Sequence, residues 1–132
     1  MSLVQKHNSR LSYSSRMAAA RIVIKLFDNW KLSTSDQLMM LGLNELNSQE
    51  LECYRNGCPL RESRDIIDRV GYMLCIHAEL RVIFNQDNNL IYGWITASVK
   101  DFDYLTPIEV TRRYGLIGLN MLCHYLVTIR KN

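Results

Sequence analysis

Apolar side chains recur at helical spacing from Ser63 to Phe84, the longest regular stretch of the chain. Their steps of three and four residues place them on one wide stripe of a helix. Ser63 suits the N-cap, and Asp65 suits the positive end of the helix dipole. Gly71 costs about 1 kcal/mol relative to alanine inside a helix, so we interpret it as a point of close packing. The pattern predicts a central helix roughly 30 Å long, whose stripe consists of Ile66, Ile67, Val70, Met73, Leu74, His77, Leu80, the stem of Arg81, and Phe84.

The segment before this helix predicts three shorter helices. Helical spacing begins at Arg16 and continues to Trp30, and two further patterns cover residues 33–41 and 47–56. The last two are each followed by glycine, which suits a helix stop with positive φ.

Helix, glycine turn and helix in succession over residues 33–57 form the outline of a helix-turn-helix. Its second helix would lie in the major groove, with Leu51 and Tyr54 facing inward. Glu50 and Glu52 on that helix would repel phosphate, and a helix pair kept for packing has the same outline. Both interpretations stay open at this point.

The C-terminal part predicts three more helices. Residues 85–89 are a polar break, and residues 90–95 resume helical spacing. In the run 106–109, Thr-Pro-Ile-Glu, threonine caps, proline occupies the first helical position, and glutamate bonds back to the cap. This helix is expected to stop at Gly115, and a last helix uses apolar residues over 119–129. No useful strand alternation occurs, so we expect an all-α protein of about seven helices.

Composition and charge place this pattern in a folded domain. Hydrophobic residues make up 48% and charged residues 22% of the 132 positions, as in ordinary soluble proteins. No apolar run reaches the roughly 18 residues of a membrane span, and no signal-peptide core is visible, so we expect a cytoplasmic protein without a membrane partner.

Positive charge is concentrated at the N-terminus. Residues 1–31 carry six Lys and Arg against one Asp. Residues 1–15 are polar and serine-rich, and we expect a flexible arm, either loose or able to bind nucleic acid.

The residues that could carry chemistry are few. The four cysteines form no CxxC pair and are expected to be reduced, although Cys53 and Cys58 have the alternative of a zinc half-site. His77 and His124 fall on apolar helix faces, where hydrogen-bonded core histidines are common. No nucleophile motif or phosphate loop occurs, so we expect a binding protein without catalytic residues, cofactor or metal. A small enzyme is the less favoured alternative.

The order of these pieces over residues 17–130 resembles the Xre/MbcA/ParS-type antitoxins. The resemblance is carried by Trp30-Lys-Leu-Ser33, Leu41-Gly42, Gly57, Arg64 to Val70, Ile76-His-Ala-Glu-Leu80, Phe84, Trp94, Leu105-Thr-Pro-Ile-Glu109, Gly118-Leu119 and Tyr125-Leu126. It implies an Xre-like helix-turn-helix module over residues 16–62, joined through the long central helix to a toxin-binding domain over 63–132.

The resemblance also implies a function. Such proteins are the antitoxins of type II toxin–antitoxin systems. They bind a RES-domain toxin, which degrades NAD or uses it for ADP-ribosylation, and occlude its NAD pocket. Many also bind operator DNA and repress their own operon, usually as homodimers. A stand-alone helix-turn-helix transcriptional regulator without a toxin partner is the alternative.

The resemblance implies a set of toxin-binding residues, and the helix-turn-helix outline together with the basic N-terminal segment indicates a set of DNA-binding residues. Within the toxin-binding set, Phe102 and Tyr104 could either anchor a partner or seal the core. The toxin-binding set comprises Phe102, Tyr104, Thr106, Glu109, Arg112, Arg113 and Arg130, and the last helix is assigned to the same surface as a region. The DNA-binding set comprises Arg21, Lys25, Lys31, Gln49, Tyr54, Arg55 and Asn56.

Overall fold

The computed structural model describes residues 11–132, and within that range the chain is helical without a strand. The all-α prediction is therefore confirmed. The predicted number of seven helices is not confirmed, because the last two predicted helices follow each other without a loop as one element. The backbone nevertheless leaves helical geometry at Gly115, with φ of 61° and ψ of −135°, where the sequence predicts a helix stop. The six α-helices of the described range are α1 (Tyr13–Asn29), α2 (Thr34–Met40), α3 (Ser48–Arg55), α4 (Arg64–Ile83), α5 (Asn88–Gly93) and α6 (Pro107–Lys131). Three 3-10 turns lie at Glu45–Asn47, Trp94–Thr96 and Lys100–Phe102.

Helix α1 begins earlier than expected. Ser12 caps it by accepting a hydrogen bond from the Ser15 backbone at 3.1 Å, so the helix starts three residues before Arg16. Residues 13–15 are helical and do not belong to an arm. The remainder of the predicted arm lies mostly in residues 1–10, outside the described residues.

Helix α4 is the long helix that the periodicity predicts. Ser63 caps its start, and α4 contacts α1, α5 and α6. The interpretation of Gly71 as a packing point is wrong. A Cβ at that position would meet no atom of residues 11–132 within 4 Å, since Gly71 lies on the exposed side of α4.

Helices α4 and α6 run parallel along each other. Cys75 is bonded to Cys123, and Glu79 pairs with Arg130 further along both helices. At the other end, a Cβ on Gly115 would lie 3.4 Å from Arg69 Nη2. Because these contacts advance in the same direction along both helices, the segment between them must cross the length of the molecule.

The helix-turn-helix arrangement expected over residues 33–57 is not confirmed. Helix α2 contacts α6 and the turn Glu45–Asn47, whereas α3 packs mainly on α1. Gly42, with φ of 74°, ends α2 as predicted. The two short helices therefore lie against different parts of one core.

The expectation of reduced cysteines is wrong, because all four are paired. Cys53 is bonded to Cys58 at the end of α3, with Cα atoms 5.2 Å apart. The Cys75–Cys123 bond joins α4 to α6, with Cα atoms 6.3 Å apart. Cys53 and Cys58 are thus joined in a disulfide, and the described part of the chain contains no group of three His, Cys, Asp or Glu suited to a metal.

Within residues 11–132, no helix is long and apolar enough to cross a membrane.

Candidate functional site

The loop before α6, residues 99–106, holds an aromatic ring away from the protein. The Val99 amide donates to the Leu105 carbonyl at 3.0 Å, and the Tyr104 amide donates to the Val99 carbonyl at 3.0 Å. Asp103 and Tyr104 both have positive φ, 55° and 64°, which non-glycine residues rarely adopt. These two residues reverse the chain and leave the Tyr104 side chain 63% exposed. We call residues 99–106 the Tyr104 loop.

Phe102 of the same loop points the other way. Its ring lies edge-on to Tyr125, with centroids 5.0 Å apart. Burial and a hydrogen bond to Asp101 raise the pKa of Tyr125. Of the two roles considered for these rings, Phe102 seals the core and Tyr104 is left free to contact a partner.

Thr106 and Glu109 form the capping box that the sequence predicts. The Glu109 amide donates to Thr106 Oγ1 at 3.1 Å, and the Thr106 amide donates to Glu109 Oε1 at 2.8 Å. The bond from the Thr106 backbone is the main reason that the pKa of Glu109 is lowered. Both side chains are therefore engaged in starting α6.

The three arginines of the proposed toxin-binding set have different environments. Arg112 donates to Asp36 of α2 at 2.7 Å, and Arg130 pairs with Glu79 of α4. Arg113 is exposed and has no ion-pair or hydrogen-bond partner among residues 11–132. Of the seven side chains in this set, the structure leaves those of Tyr104 and Arg113 exposed and unengaged.

In the proposed DNA-binding set, Tyr54 cannot reach a base. Its side chain is only 3% exposed. The hydroxyl donates to Glu50 and accepts a bond from the Arg61 amide at 3.1 Å. Burial, followed by the bond to Glu50, raises the pKa of Tyr54 to about 12. The expectation of a base contact is corrected here, whereas the inward orientation of Tyr54 agrees with its periodicity.

Arg55 connects three helices. It donates to Asp28 of α1 at 3.1 Å and to Gln37 Oε1 of α2 at 2.7 Å. Gln37 is buried and donates in turn to the Leu32 carbonyl at 3.0 Å. Arg55 therefore holds α3 against α1 and α2 rather than standing free for phosphate. The exposed members of the set are Arg21 and Lys25 on α1, Lys31 after it, and Gln49 and Asn56 at the two ends of α3.

His77 is half-buried against α5. Its ring stacks on Tyr92 with centroids 5.6 Å apart. Burial, and then the charge of Arg81, lower the pKa of His77. The environment favours a neutral ring that packs between helices, as expected for a core or boundary histidine. The expected hydrogen bond is not present, because the buried Nδ1 of the ring has no partner among the described residues.

The resemblance assigns the last helix to the toxin-facing surface only as a region, and the exposed residues on the outer side of α6 are not among those it singles out. Ile117 is 69% exposed, and Met121, His124 and Thr128 follow it on the same exposed side. The signal was present in the sequence, since residues 114–129 contain no Lys, Arg, Asp or Glu. Periodicity was used there only to find the buried stripe of the helix.

An open cleft of about 470 Å³ lies elsewhere, between α2 and the turn Glu45–Asn47. Its lining combines Leu38, Met39, Leu43 and Leu46 with polar groups at the rim. Neither residue set predicted from the sequence lies in this cleft.

In comparisons with known proteins, no family model, curated protein or solved structure matches the chain.

Proposed function

We propose that this chain is the antitoxin of a type II toxin–antitoxin system. It binds a RES-domain toxin through its C-terminal half and covers the NAD pocket of that toxin. The ordered resemblance over residues 17–130 supports this proposal, and so does the surface of the Tyr104 loop.

The observation that carries the proposal is the exposed ring of Tyr104. Backbone bonds between Val99, Tyr104 and Leu105 fix the loop before a partner arrives. A partner that binds a fixed aromatic side chain loses little conformational entropy on docking, and tyrosine is enriched among the residues that dominate interfaces. Arg113, nearby in sequence, adds an exposed guanidinium that forms no ion pair in the described range, a group that pairs well with carboxylate or phosphate.

The proposal is tested by co-expression with the products of the adjacent open reading frames. We expect one of them to be a RES-domain protein that arrests growth alone, is harmless with this chain, and co-purifies with it. If no neighbouring product is toxic or bound, the chain is not an antitoxin of this kind.

A matched pair of tyrosine variants tests the contact surface. Tyr104→Ala should weaken toxin binding by about tenfold or more, because an exposed aromatic anchor is removed. Tyr13→Ala on α1 is the control, since Tyr13 is 62% exposed and Tyr104 is 63% exposed. Calorimetric titration of the purified toxin with each variant gives the two affinities, and equal losses would exclude a specific role for Tyr104.

Repression of its own operon is the second part of the proposed function. Arg21 and Lys25 lie one turn apart on the exposed side of α1, a spacing that lets both contact phosphates. Such contacts make affinity fall steeply with salt. A gel shift with the upstream DNA should show retention at low salt that fades at high salt. Absence of retention at both would remove DNA binding, and DNA binding without any toxin partner would favour the stand-alone regulator.

A further inference from the structure

The parallel helices α4 and α6 share an exposed side without charge. Residues 114–129 of α6 and residues 70–78 of α4 contain no Lys, Arg, Asp or Glu. The solvent side of a helix in a globular protein normally carries charged and polar residues. Both stretches nevertheless include exposed positions, so part of this uncharged surface faces solvent.

The exposed residues of α6 follow one line along the helix. Ile117, Met121, His124 and Thr128 are spaced by four, three and four residues. Thr128 satisfies its own hydroxyl by donating to the His124 carbonyl at 3.0 Å. A partner can therefore cover this line with few polar groups to satisfy.

Helix α4 extends the same surface. It packs along α6, and the opposite sides of both helices enter one core, so their outward sides adjoin. Gly71, Ala78 and Val82 are exposed there, and no atom of the described residues lies within 4 Å of a Cβ built at Gly71. We call the seven residues the outer face: Gly71, Ala78, Val82, Ile117, Met121, His124 and Thr128.

The charges around the outer face are not balanced. Every carboxylate of α4 and α6 is engaged: Asp65 with Arg69, Asp68 with Arg64, Glu79 with Arg130, and Glu109 in its capping box. Three cations of the same helices, Arg81, Arg113 and Lys131, form no ion pair in the described range. Of these, Arg113 acts on a carboxylate, since its charge helps to lower the pKa of Glu109. Arg113 precedes the uncharged stretch of α6 and Lys131 follows it, so unpaired positive charge lies at both ends.

We propose that the outer face docks a protein partner whose apolar patch is bordered by Asp and Glu. The inference rests on the proposed function, in which the toxin is this partner, and it adds a surface beyond the Tyr104 loop. An apolar centre with a polar rim is the usual anatomy of a specific interface, and exposed apolar patches mark such sites. A second copy of the chain fits less well, because it would bring more unpaired cations and no free carboxylate from these helices.

Two isoleucine variants test the apolar part. Ile117→Ser should weaken binding of the purified RES-domain toxin by about tenfold. Ile22→Ser on α1, which is 50% exposed against 69% for Ile117, should leave the affinity unchanged. Circular dichroism and thermal unfolding of each variant establish that both remain folded.

The association and dissociation rate constants of the toxin complex test the role of the unpaired cations. The double variant Arg113→Gln/Lys131→Gln should lower the association rate constant and flatten its dependence on salt, because rim charges mainly steer the encounter. The dissociation rate constant should change less. An association rate and salt dependence equal to those of the unaltered chain would overturn the acidic partner surface.

The outcomes separate this inference from the proposed function. A toxin bound equally well by the unaltered chain and by Ile117→Ser would overturn the docking surface and leave the antitoxin function standing. A toxin not bound by the unaltered chain would remove both. Sedimentation equilibrium of the chain alone gives the last outcome: a dimer weakened by Ile117→Ser would show that a second copy covers the face, which also overturns the inference.

Discussion

A side chain at position 42 would collide with the central helix. A Cβ there would lie 2.7 Å from Arg69 Nε and 2.9 Å from Asp65 Oδ2, and the φ of 74° disfavours any L residue. At position 71 the helix is regular and the surrounding space is open. Turn geometry and close packing thus require glycine at position 42. The fold does not require glycine at position 71.

Two alanine variants test this contrast. Gly71→Ala should raise the free energy of unfolding by about 1 kcal/mol, because alanine has the higher helix propensity and nothing obstructs its methyl group. Gly42→Ala should lower it by about 1 kcal/mol or more, because its native φ is unfavourable for alanine. Urea denaturation with an unchanged m-value measures both. A loss of stability in Gly71→Ala would indicate a packing contact at that position.

At the scale of elements, one arginine organises the junction of three helices. Arg69 of α4 donates to Asp65 at 2.8 Å and to the carbonyls of Met39 and Met40 at 3.4 Å each. It therefore satisfies the C-terminal end of α2, where a cation also suits the helix dipole. The bend of α6 at Gly115 lies beside the same guanidinium, so Arg69 fixes where α2 and α6 meet α4.

The start of α6 allows a second stability test. Thr106→Ala should lower the free energy of unfolding by about 1 kcal/mol, since the cap of the first turn is lost. The exposed Thr96, whose hydroxyl donates only to the Gly93 carbonyl, gives the control Thr96→Ala. Chemical denaturation at pH 7 compares the two, and equal effects would contradict a specific capping role.

The same cap links stability to pH. The pKa of Glu109 is lowered in the folded protein, so its contribution is present above its ordinary pKa and is lost as pH falls through the folded pKa. Glu109→Gln should therefore lose less stability on acidification from pH 5 toward about pH 3. An identical acid profile would show that the carboxylate does not contribute through this bond.

The sequence predicts elements best where the signal is local. Ser63 and the Thr106–Glu109 box mark helix starts correctly, because a cap depends on a few neighbouring backbone groups. The start of α1 was placed too late, since several serines near it are suitable caps. The break at Gly115 is also located correctly. The engagement of Arg55 and the pairing of cysteines depend on residues distant in sequence. Periodicity does not contain that information.

In the whole molecule, one disulfide connects elements and the other closes a short loop. The Cys75–Cys123 bond spans a sequence separation of 48 between α4 and α6, whereas Cys53–Cys58 spans five. In the chain-entropy account, closing the longer loop stabilises by about 4 kcal/mol and the shorter by about 2 kcal/mol. The first bond should therefore matter more to the fold.

Paired alanine variants measure the difference. Cys75→Ala/Cys123→Ala should lower the melting temperature more than Cys53→Ala/Cys58→Ala, and a dithiol reductant should destabilise the unaltered protein. Thermal unfolding is followed with and without reductant, and alkylation with mass spectrometry reports the state of each pair. A melting temperature that does not respond to reductant, with both pairs reduced, would contradict the prediction.

Parallel packing of α4 and α6 has a consequence for how the chain folds. Two helices joined by a tight hairpin meet soon after they form, but here the principal contacts join residues about fifty positions apart, as in Arg130 with Glu79 at a separation of 51. Rates of two-state folding fall as the mean sequence separation of contacts rises. In the reduced protein, where no disulfide joins α4 to α6 before folding, the kinetic barrier should therefore be dominated by bringing α6 back to α4. The reduced chain should then fold more slowly than an up-and-down bundle of equal length.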